Sequence, residues 1–441
     1  MMRKTTASFV FICASAFTMA LVNVAQAALP VQSWTAPSGA RVLFVEARSI
    51  PMIDLNIDFD AGSRYDPAAK SGLALMTQGL LALGATVGAE TLTEQQIADR
   101  FADAGAQRGG SADLDRAGVS VRTLSSKPER GAVFDLLAGM LSAPAFSEAV
   151  LTREKARRIA AIKEEETKPE VIADRAFDRA LYGEHPYGRN QTAPTIEAIT
   201  RGDLQAFYAA NYTARRAVVA IIGDLSRAEA EEIAQRLTAA LPAGSAAPEM
   251  PPVPAQRASE LRIAHPATQS HILIGSAVLK RGDPDYFPLV VGNYILGGGG
   301  FVSRLMDQVR EKRGLAYSVY SYFTPFKQEG PYQAGLQTKK EQANEALALV
   351  RKVIDDYVAN GPSARELRAA KDNLVGGFAL RIDSNRKILD NLAAIGFYGL
   401  PLDYLDTWSA NVEKVSVDAI RKAMKRHLKP ENFATVIVGA P

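Results

Sequence analysis

One proline-dense stretch decides how this chain is organised. Leu241-Pro-Ala-Gly-Ser-Ala-Ala-Pro-Glu-Met-Pro-Pro-Val-Pro254 places five prolines in 14 residues. Proline fixes φ and removes a backbone donor, so neither a helix interior nor a central strand tolerates that density. The stretch is a linker, and the segments on either side are of about equal length. They also read as copies. Ala198-Ile-Thr-Arg-Gly-Asp-Leu204 leads to Ala217-Val-Val-Ala-Ile-Ile-Gly223. Lys414-Val-Ser-Val-Asp-Ala-Ile420 leads to Phe433-Ala-Thr-Val-Ile-Val-Gly439. Ile199 and Val415 are 216 residues apart, and so are Gly223 and Gly439, with no gap between. Each copy reads as a helix followed by an apolar terminal strand.

Both halves open on strand-like runs: Ala40–Glu46 and Met52–Phe59 in the first, Ser270–Leu279 in the second. Helical periodicity then dominates, as in Thr93–Ala104 and Gln342–Asn360. Clustered strands followed by long helices point to α+β domains, not to strict βαβ alternation.

The first 27 residues read as a signal peptide. Arg3 and Lys4 make a basic start, Phe9–Leu21 is apolar, and Ala25-Gln-Ala27 is a small-residue cleavage site. The apolar run is short for a bilayer span, and no later run is long enough, so no transmembrane segment is expected. Export and a bacterial-looking signal suggest the periplasm. Cys13 is the only cysteine. A mature chain from Ala28 therefore has no disulfide and no cysteine metal site. Loss of Arg3 and Lys4 takes the formal net charge from +3 to +1. With no basic tract, nucleic acid is not an expected partner.

The motifs lie in both halves. The first carries Gly62-Ser-Arg-Tyr-Asp66 and Gly72-Leu-Ala-Leu-Met-Thr-Gln-Gly-Leu-Leu81. The second carries Leu296-Gly-Gly-Gly-Gly-Phe-Val-Ser-Arg-Leu305 and Val309-Arg-Glu-Lys-Arg-Gly-Leu-Ala-Tyr-Ser-Val-Tyr320. Residues 67–83 suit a helix, being rich in Ala, Leu and Met with no interior proline after Pro67. Helix signals also run from Phe301 to Lys312, with Gly314 as a C-cap glycine and Leu315–Tyr322 as a strand. Gly297, Gly298, Gly299 and Gly300 invite a phosphate-loop reading. No Gly-Lys-Ser/Thr follows and the Rossmann spacing is missing, which argues against nucleotide binding. The glycines suit either close backbone approach to a peptide or a flexible connection between helices.

Taken together these blocks resemble the M16 family of zinc peptidases, whose relatives include the insulin-degrading and mitochondrial-processing enzymes. The resemblance covers essentially the whole mature chain. It implies two homologous α+β domains, each a mostly antiparallel sheet with helices on one face. It divides the chain into a signal peptide (1–27), an N-terminal domain (28–240), a Pro-rich linker (241–260) and a C-terminal domain (261–441). The family carries His-x-x-Glu-His after Gly-x-Ala. Here those positions read Leu75, Met76, Thr77, Gln78 and Gly79. Leucine and glycine cannot ligate zinc, which needs about three protein ligands, and glutamine is no base. The family's third ligand is a glutamate in a Leu-Glu-Glu-Ile pattern followed by proline. Ile159-Ala-Ala-Ile-Lys-Glu-Glu-Glu-Thr-Lys-Pro169 aligns Ala160 and Ala161 with it. The run Glu164–Glu166, one turn on, reads as a solvated helix face. His185, His265, His271 and His427 have no helical metal spacing, and His185 in its His-Pro turn reads as structural.

By the same resemblance Arg310 and Tyr317 match a pair that holds the substrate backbone beside zinc. A guanidinium and a phenol can donate to a peptide carbonyl and polarise it. Alone, the residues better suit a helix-dipole contact and sheet packing; the block Arg310-Glu-Lys-Arg-Gly-Leu-Ala-Tyr-Ser318 favours the pair. The resemblance thus implies a non-catalytic subunit. The chain itself binds no cofactor. Zinc is expected on a partner homologue with His-x-x-Glu-His, and the substrate-binding residues are Arg310, Tyr317 and the glycine loop. The ligand is an extended peptide added to a sheet edge. The alternative is a peptide-binding or scaffolding homodimer of the envelope without hydrolytic activity.

Overall fold

The computed structural model describes residues 30–439. The signal-peptide reading, with Cys13 and Ala28, lies outside the described residues. Eight strands belong to the first half: β1 (Gln32–Thr35), β2 (Arg41–Glu46), β3 (Met52–Phe59), β4 (Gly84–Val87), β5 (Glu90–Thr93), β6 (Gln107–Ala112), β7 (Ala117–Leu124) and β8 (Ala217–Gly223). Six form one sheet in the order β1-β2-β8-β3-β7-β6, while β4 and β5 pair as a small ribbon. The second half supplies β9 (Ser259–Ile263), β10 (Gln269–Leu279), β11 (Ser318–Phe323), β12 (Gly330–Lys339) and β13 (Ala434–Val438), in the order β11-β12-β10-β13-β9. Residues 242–258, between helix Arg227–Thr238 and β9, carry no helix or strand.

The two sheets share one topology, with β1 as the addition. In each, the last strand enters between two earlier ones. β8 runs parallel to β2 and antiparallel to β3, and β13 runs parallel to β9 and antiparallel to β10. The preceding helices, Arg201–Asn211 and Val417–His427, keep the 216-residue displacement at both ends. Thr200 and Ser416 cap them by accepting from the N–H of Asp203 and Ala419. Each closing strand ends at a glycine with positive φ, Gly223 at +155° and Gly439 at +112°. A Cβ there would sit 2.4 Å from the Met52 carbonyl and 2.6 Å from the Gln269 carbonyl. Glycine is therefore required at both.

Helices of each half cover one face of its own sheet. In the first half Ile53, Leu55, Ile57 and Phe59 of β3 meet Phe134 and Leu137 of helix Lys127–Ser142. The opposite faces are covered by exchange. Helix Pro169–Tyr182 of the first half packs on β10 and β13 of the second, burying Phe177 and Leu181 against Leu273 and Val436. Helix Asn385–Tyr398, displaced by the same 216 residues, packs on β2, β3 and β8 of the first, with Leu389 and Leu392 against Val45 and Ile222. Separating the halves would expose both helix faces, at about 1.5–3 kcal/mol for each large apolar side chain. Among the described residues no helix is long and apolar enough to cross a membrane.

Candidate functional site

The positions where the family resemblance expects zinc lie on two helices in contact. Leu75, Gln78 and Gly79 sit on helix Leu73–Leu80, and Ala160 and Ala161 on helix Glu148–Glu165. The first helix is shorter than the 67–83 span read from sequence. Gly72 takes φ +104° and ends the preceding turn. Asp66 then accepts from the Gly72 and Ala74 N–H groups at 2.7 and 2.8 Å, satisfying the helix start. Burial pushes the Asp66 carboxyl up to about 7, against the pull of those N–H groups.

Leu75 lines a cavity of about 610 Å³ between the halves. Gln78 donates from Nε2 to the Gly118 carbonyl at 3.1 Å. A Cβ on Gly79 would meet nothing within 4 Å, so lack of space does not exclude a side chain there. Arg158 and Glu165 line the same cavity, with Ala161 between them on one helix face. Glu165 is held by two guanidiniums, Arg158 at 2.8 Å and Arg175 at 2.8 Å. This corrects the reading of Glu164–Glu166 as one solvated face. Glu164 and Glu166 are exposed beside Lys168 and Arg175, whereas Glu165 turns inward. These residues do not fit zinc. Four positions, Leu75, Gly79, Ala160 and Ala161, have no side-chain donor atom, the glutamine is engaged, and the cavity glutamate is already paired with cations that would repel a metal ion.

Sequence reasoning missed the group behind this cavity. Asp115, 1% exposed, accepts from Arg64 Nη1 at 2.6 Å, the Tyr187 hydroxyl at 2.6 Å, the Lys327 N–H at 2.8 Å and the Tyr398 hydroxyl at 3.1 Å. Arg64 also pairs with Asp60, which Lys327 Nζ reaches at 2.9 Å. Two partners come from each half, so the network joins them. Arg64 lies in the Gly62–Asp66 motif, the only sequence signal for the network. Asp174 and Asp178 of the exchanged helix also line the cavity, and burial, reinforced by Asp174, pushes Asp178 up to about 7.

At the other end, the structure brings Arg310 and Tyr317 together. The guanidinium carbon lies 5.4 Å from the Tyr317 ring centroid and 4.9 Å from that of Phe301. Tyr317 is 75% exposed and Phe301 66%. Arg310 Nε is 3.6 Å from Glu311 Oε1, too far for a hydrogen bond. The helix read from Phe301 to Lys312 begins later. Gly300–Val302 form a 3₁₀ turn and Ser303 is extended. Ser303 bonds the Gly300 carbonyl through both its N–H (3.0 Å) and its hydroxyl (2.7 Å), an alternative to helical pairing. The helix then widens into a π turn over Met306–Glu311, and Gly314 takes φ +62° beyond it, as its C-cap reading expects. Tyr317 falls just before β11, with its N–H on the Gln337 carbonyl at 3.2 Å.

The glycines divide into two kinds. A Cβ on Gly297 would fall 2.3 Å from Ser321 Oγ, on Gly298 2.9 Å from Asn293 Nδ2, and on Gly299 2.7 Å from the Tyr294 carbonyl. The chain's own packing demands these three. Gly300, at φ +60°, faces open space.

His185 accepts from the Tyr187 N–H at 3.1 Å, with Nε2 3.1 Å from the Pro251 carbonyl, and burial lowers its pKa. That is a structural histidine. His427 comes close to Asp283 and Asp285, forming the one possible metal-donor cluster among the described residues. Residues so far apart in sequence give no spacing signal. Arg426 also pairs with Asp285, and His427 Nδ1 lies 3.1 Å from the Val278 carbonyl, so the cluster is internally satisfied.

Comparison with known proteins accounts for this arrangement. The family model "Insulinase (Peptidase family M16)" matches residues 41–195, and "Peptidase M16 inactive domain" matches residues 198–374. A crystal structure of a peptidase M16 inactive domain from Pseudomonas fluorescens is 39% identical, with a TM-score of 0.89, over 94% of this chain and 98% of that one. The chain belongs to the M16 peptidase family. Its M16 relatives include the non-peptidase homolog YmxG of Helicobacter pylori, 27% identical over 90% of this chain and 91% of that protein. The periplasmic protease PqqL of Escherichia coli has a TM-score of 0.79 at 16% identity, over 93% of this chain and 45% of that one, a likeness of fold alone. The names "inactive domain" and "non-peptidase homolog", together with the unsuited donor set, support a non-catalytic M16 protein, although other relatives, 24% and 25% identical, are named zinc proteases.

Proposed function

We propose that this chain is the substrate-binding subunit of a two-chain M16 zinc endopeptidase, exported to the periplasm after loss of residues 1–27. Its partner is a homologue that carries His-x-x-Glu-His and the zinc. The observation that carries this reading is the contrast on one chain. The zinc positions hold Leu75, Gln78 and Gly79, while a half-buried Arg310 remains adjacent to an exposed Tyr317.

In this role Arg310 and Tyr317 donate hydrogen bonds to a carbonyl of an extended peptide that pairs with a sheet edge. Gly300 leaves room for the peptide backbone. The partner's zinc supplies the hydrolytic chemistry. This chain orients the peptide and stabilises charge developing on the carbonyl oxygen.

The test begins with co-purification from the native cell and identification of the bound chain. In the reconstituted pair, Arg310→Ala or Tyr317→Phe is expected to slow peptide cleavage about 100- to 1,000-fold at matched zinc occupancy. Assembly should be unchanged, and Lys339→Ala serves as the surface control. Wild-type rates in both variants would leave the scaffolding homodimer as the better account.

A further inference from the structure

We infer that Phe301 is a positioning residue that holds the Arg310 guanidinium in its binding orientation. The inference rests on the reading of Arg310 as a peptide-binding group. Phe301 is 66% exposed and absent from the apolar cores of both halves, so burial does not explain a large apolar side chain at this place. Its ring centroid is 4.9 Å from the Arg310 guanidinium carbon, closer than the Tyr317 ring at 5.4 Å. Ring contacts of this kind use the π face and leave the N–H donors of the guanidinium available. Arg310 has no hydrogen-bonded carboxylate to orient it, since Glu311 is 3.6 Å away. The two ring faces therefore restrain the guanidinium alongside the loose Glu311 pair.

The loop is built to deliver that ring. A π turn over Tyr294–Gly298 precedes it, and another over Met306–Glu311 follows it. Such turns re-aim side chains and recur at functional sites. Between them Gly300 supplies a positive φ, and Ser303, fully buried, ties its hydroxyl to the Gly300 carbonyl. Arg304 then anchors the helix start on Glu366, with Nε at 2.6 Å and Nη2 at 2.8 Å. Phe301 thus projects from a turn pinned on its C-terminal side.

The experiment has two arms. The first records the Arg310 Nε–Hε NMR resonance of the intact chain labelled with ¹⁵N-arginine, assigned by its loss in Arg310→Ala. Contact with the Phe301 ring predicts a ring-current shift that Phe301→Leu removes and Phe301→Tyr restores. The second measures cleavage of a fluorogenic peptide by the reconstituted pair. Phe301→Leu is expected to lower kcat about two- to fivefold, the size of an exposed cation–π contact, with Phe301→Tyr recovering it. A resonance unmoved by Phe301→Leu overturns the inference, whatever the kinetics. A moved resonance with unchanged kcat, where Arg310→Ala is slow, also overturns it. If Arg310→Ala itself cleaves at the wild-type rate, the peptide-binding reading fails instead, and the resonance still decides whether Phe301 positions Arg310.

Discussion

The two motif-bearing ends of this molecule differ in how far their polar groups are already satisfied. Around Leu75, Gln78 bonds a backbone carbonyl, Glu165 is held by two arginines, and Asp115 behind them has four donors. Around Arg310, a guanidinium without a hydrogen-bonded partner lies between exposed rings. The first end is largely bonded internally, with Arg64 Nε and the cavity-lining Arg189 Nε its unpartnered donors. The second keeps exposed aromatic surface beside a half-buried arginine whose carboxylate contact is the loose Glu311 pair at 3.6 Å. That difference teaches where to look for a ligand: the informative group is the one whose hydrogen-bonding capacity the chain leaves unspent.

Converting the first end back into a metal site is the strongest way to break the comparison. The variant Leu75→His, Gln78→Glu, Gly79→His, Ala161→Glu restores three ligands and a base. Gly79 has open space, and Ala161 shares a helix face with the cavity residues Arg158 and Glu165. One zinc per chain is expected, whereas the parent should show none and the variant lacking Ala161→Glu should bind poorly. Favourable zinc sites reach apparent binding energies on the order of 10 kcal/mol, so the gain should be plain in metal analysis after dialysis. Tight zinc in the three-change variant would show that the third ligand lies elsewhere.

Removing the internal network should cost more stability than removing the half-buried Arg310. Asp115→Ala leaves Arg64, 4% exposed, with Asp60 as its remaining carboxylate partner, and strips acceptors from Tyr187 and Tyr398. Breaking a buried pair of this kind costs about 3–5 kcal/mol. Arg310→Ala, which removes a half-buried side chain and its ring contacts, should cost about 1 kcal/mol or less. Urea unfolding of both variants measures the difference. Equal losses would remove the distinction between a bonded and an open end.

Much of this was legible in sequence, and the exceptions share a cause. The repeat was readable because helix Val417–His427 and β13 copy Arg201–Asn211 and β8 without a gap. The Arg310–Tyr317 approach was readable only through the family resemblance of the block that carries both residues. Asp115 was invisible because its partners are 51 to 283 residues away, and such contacts leave no local pattern. The exchanged helices were equally hidden: an amphipathic face declares that it must be buried, not against which sheet. Phe301 was read as helical because propensity does not register the Ser303 hydroxyl competing for the Gly300 carbonyl.

A smaller effect tests whether the open end has its own anchor. Each half holds one capping-box glutamate clamped by an arginine: Glu229 with Ser226 and Arg130, and Glu366 with Ser363 and Arg304. Hydrogen bonds hold both carboxyls down to about 2, led by the Ser226 backbone for Glu229 and by Arg304 for Glu366. The ordinary glutamate value is 4.5. The folded chain therefore binds fewer protons than the unfolded chain between pH 4.5 and about 2. The stabilisation is fully present above that window and is lost as pH falls through it. Both side chains are about a third exposed, so solvent screening keeps each effect modest. Glu229→Gln and Glu366→Gln should each flatten the acid limb of stability, measured by urea midpoints from pH 5 to 2. Only Glu366→Gln should also disturb the Arg310 resonance, because Arg304 starts the helix that carries Arg310. The same disturbance in Glu229→Gln would mean that the exposed end responds to general loosening of the fold, and that Arg304 is not its particular anchor.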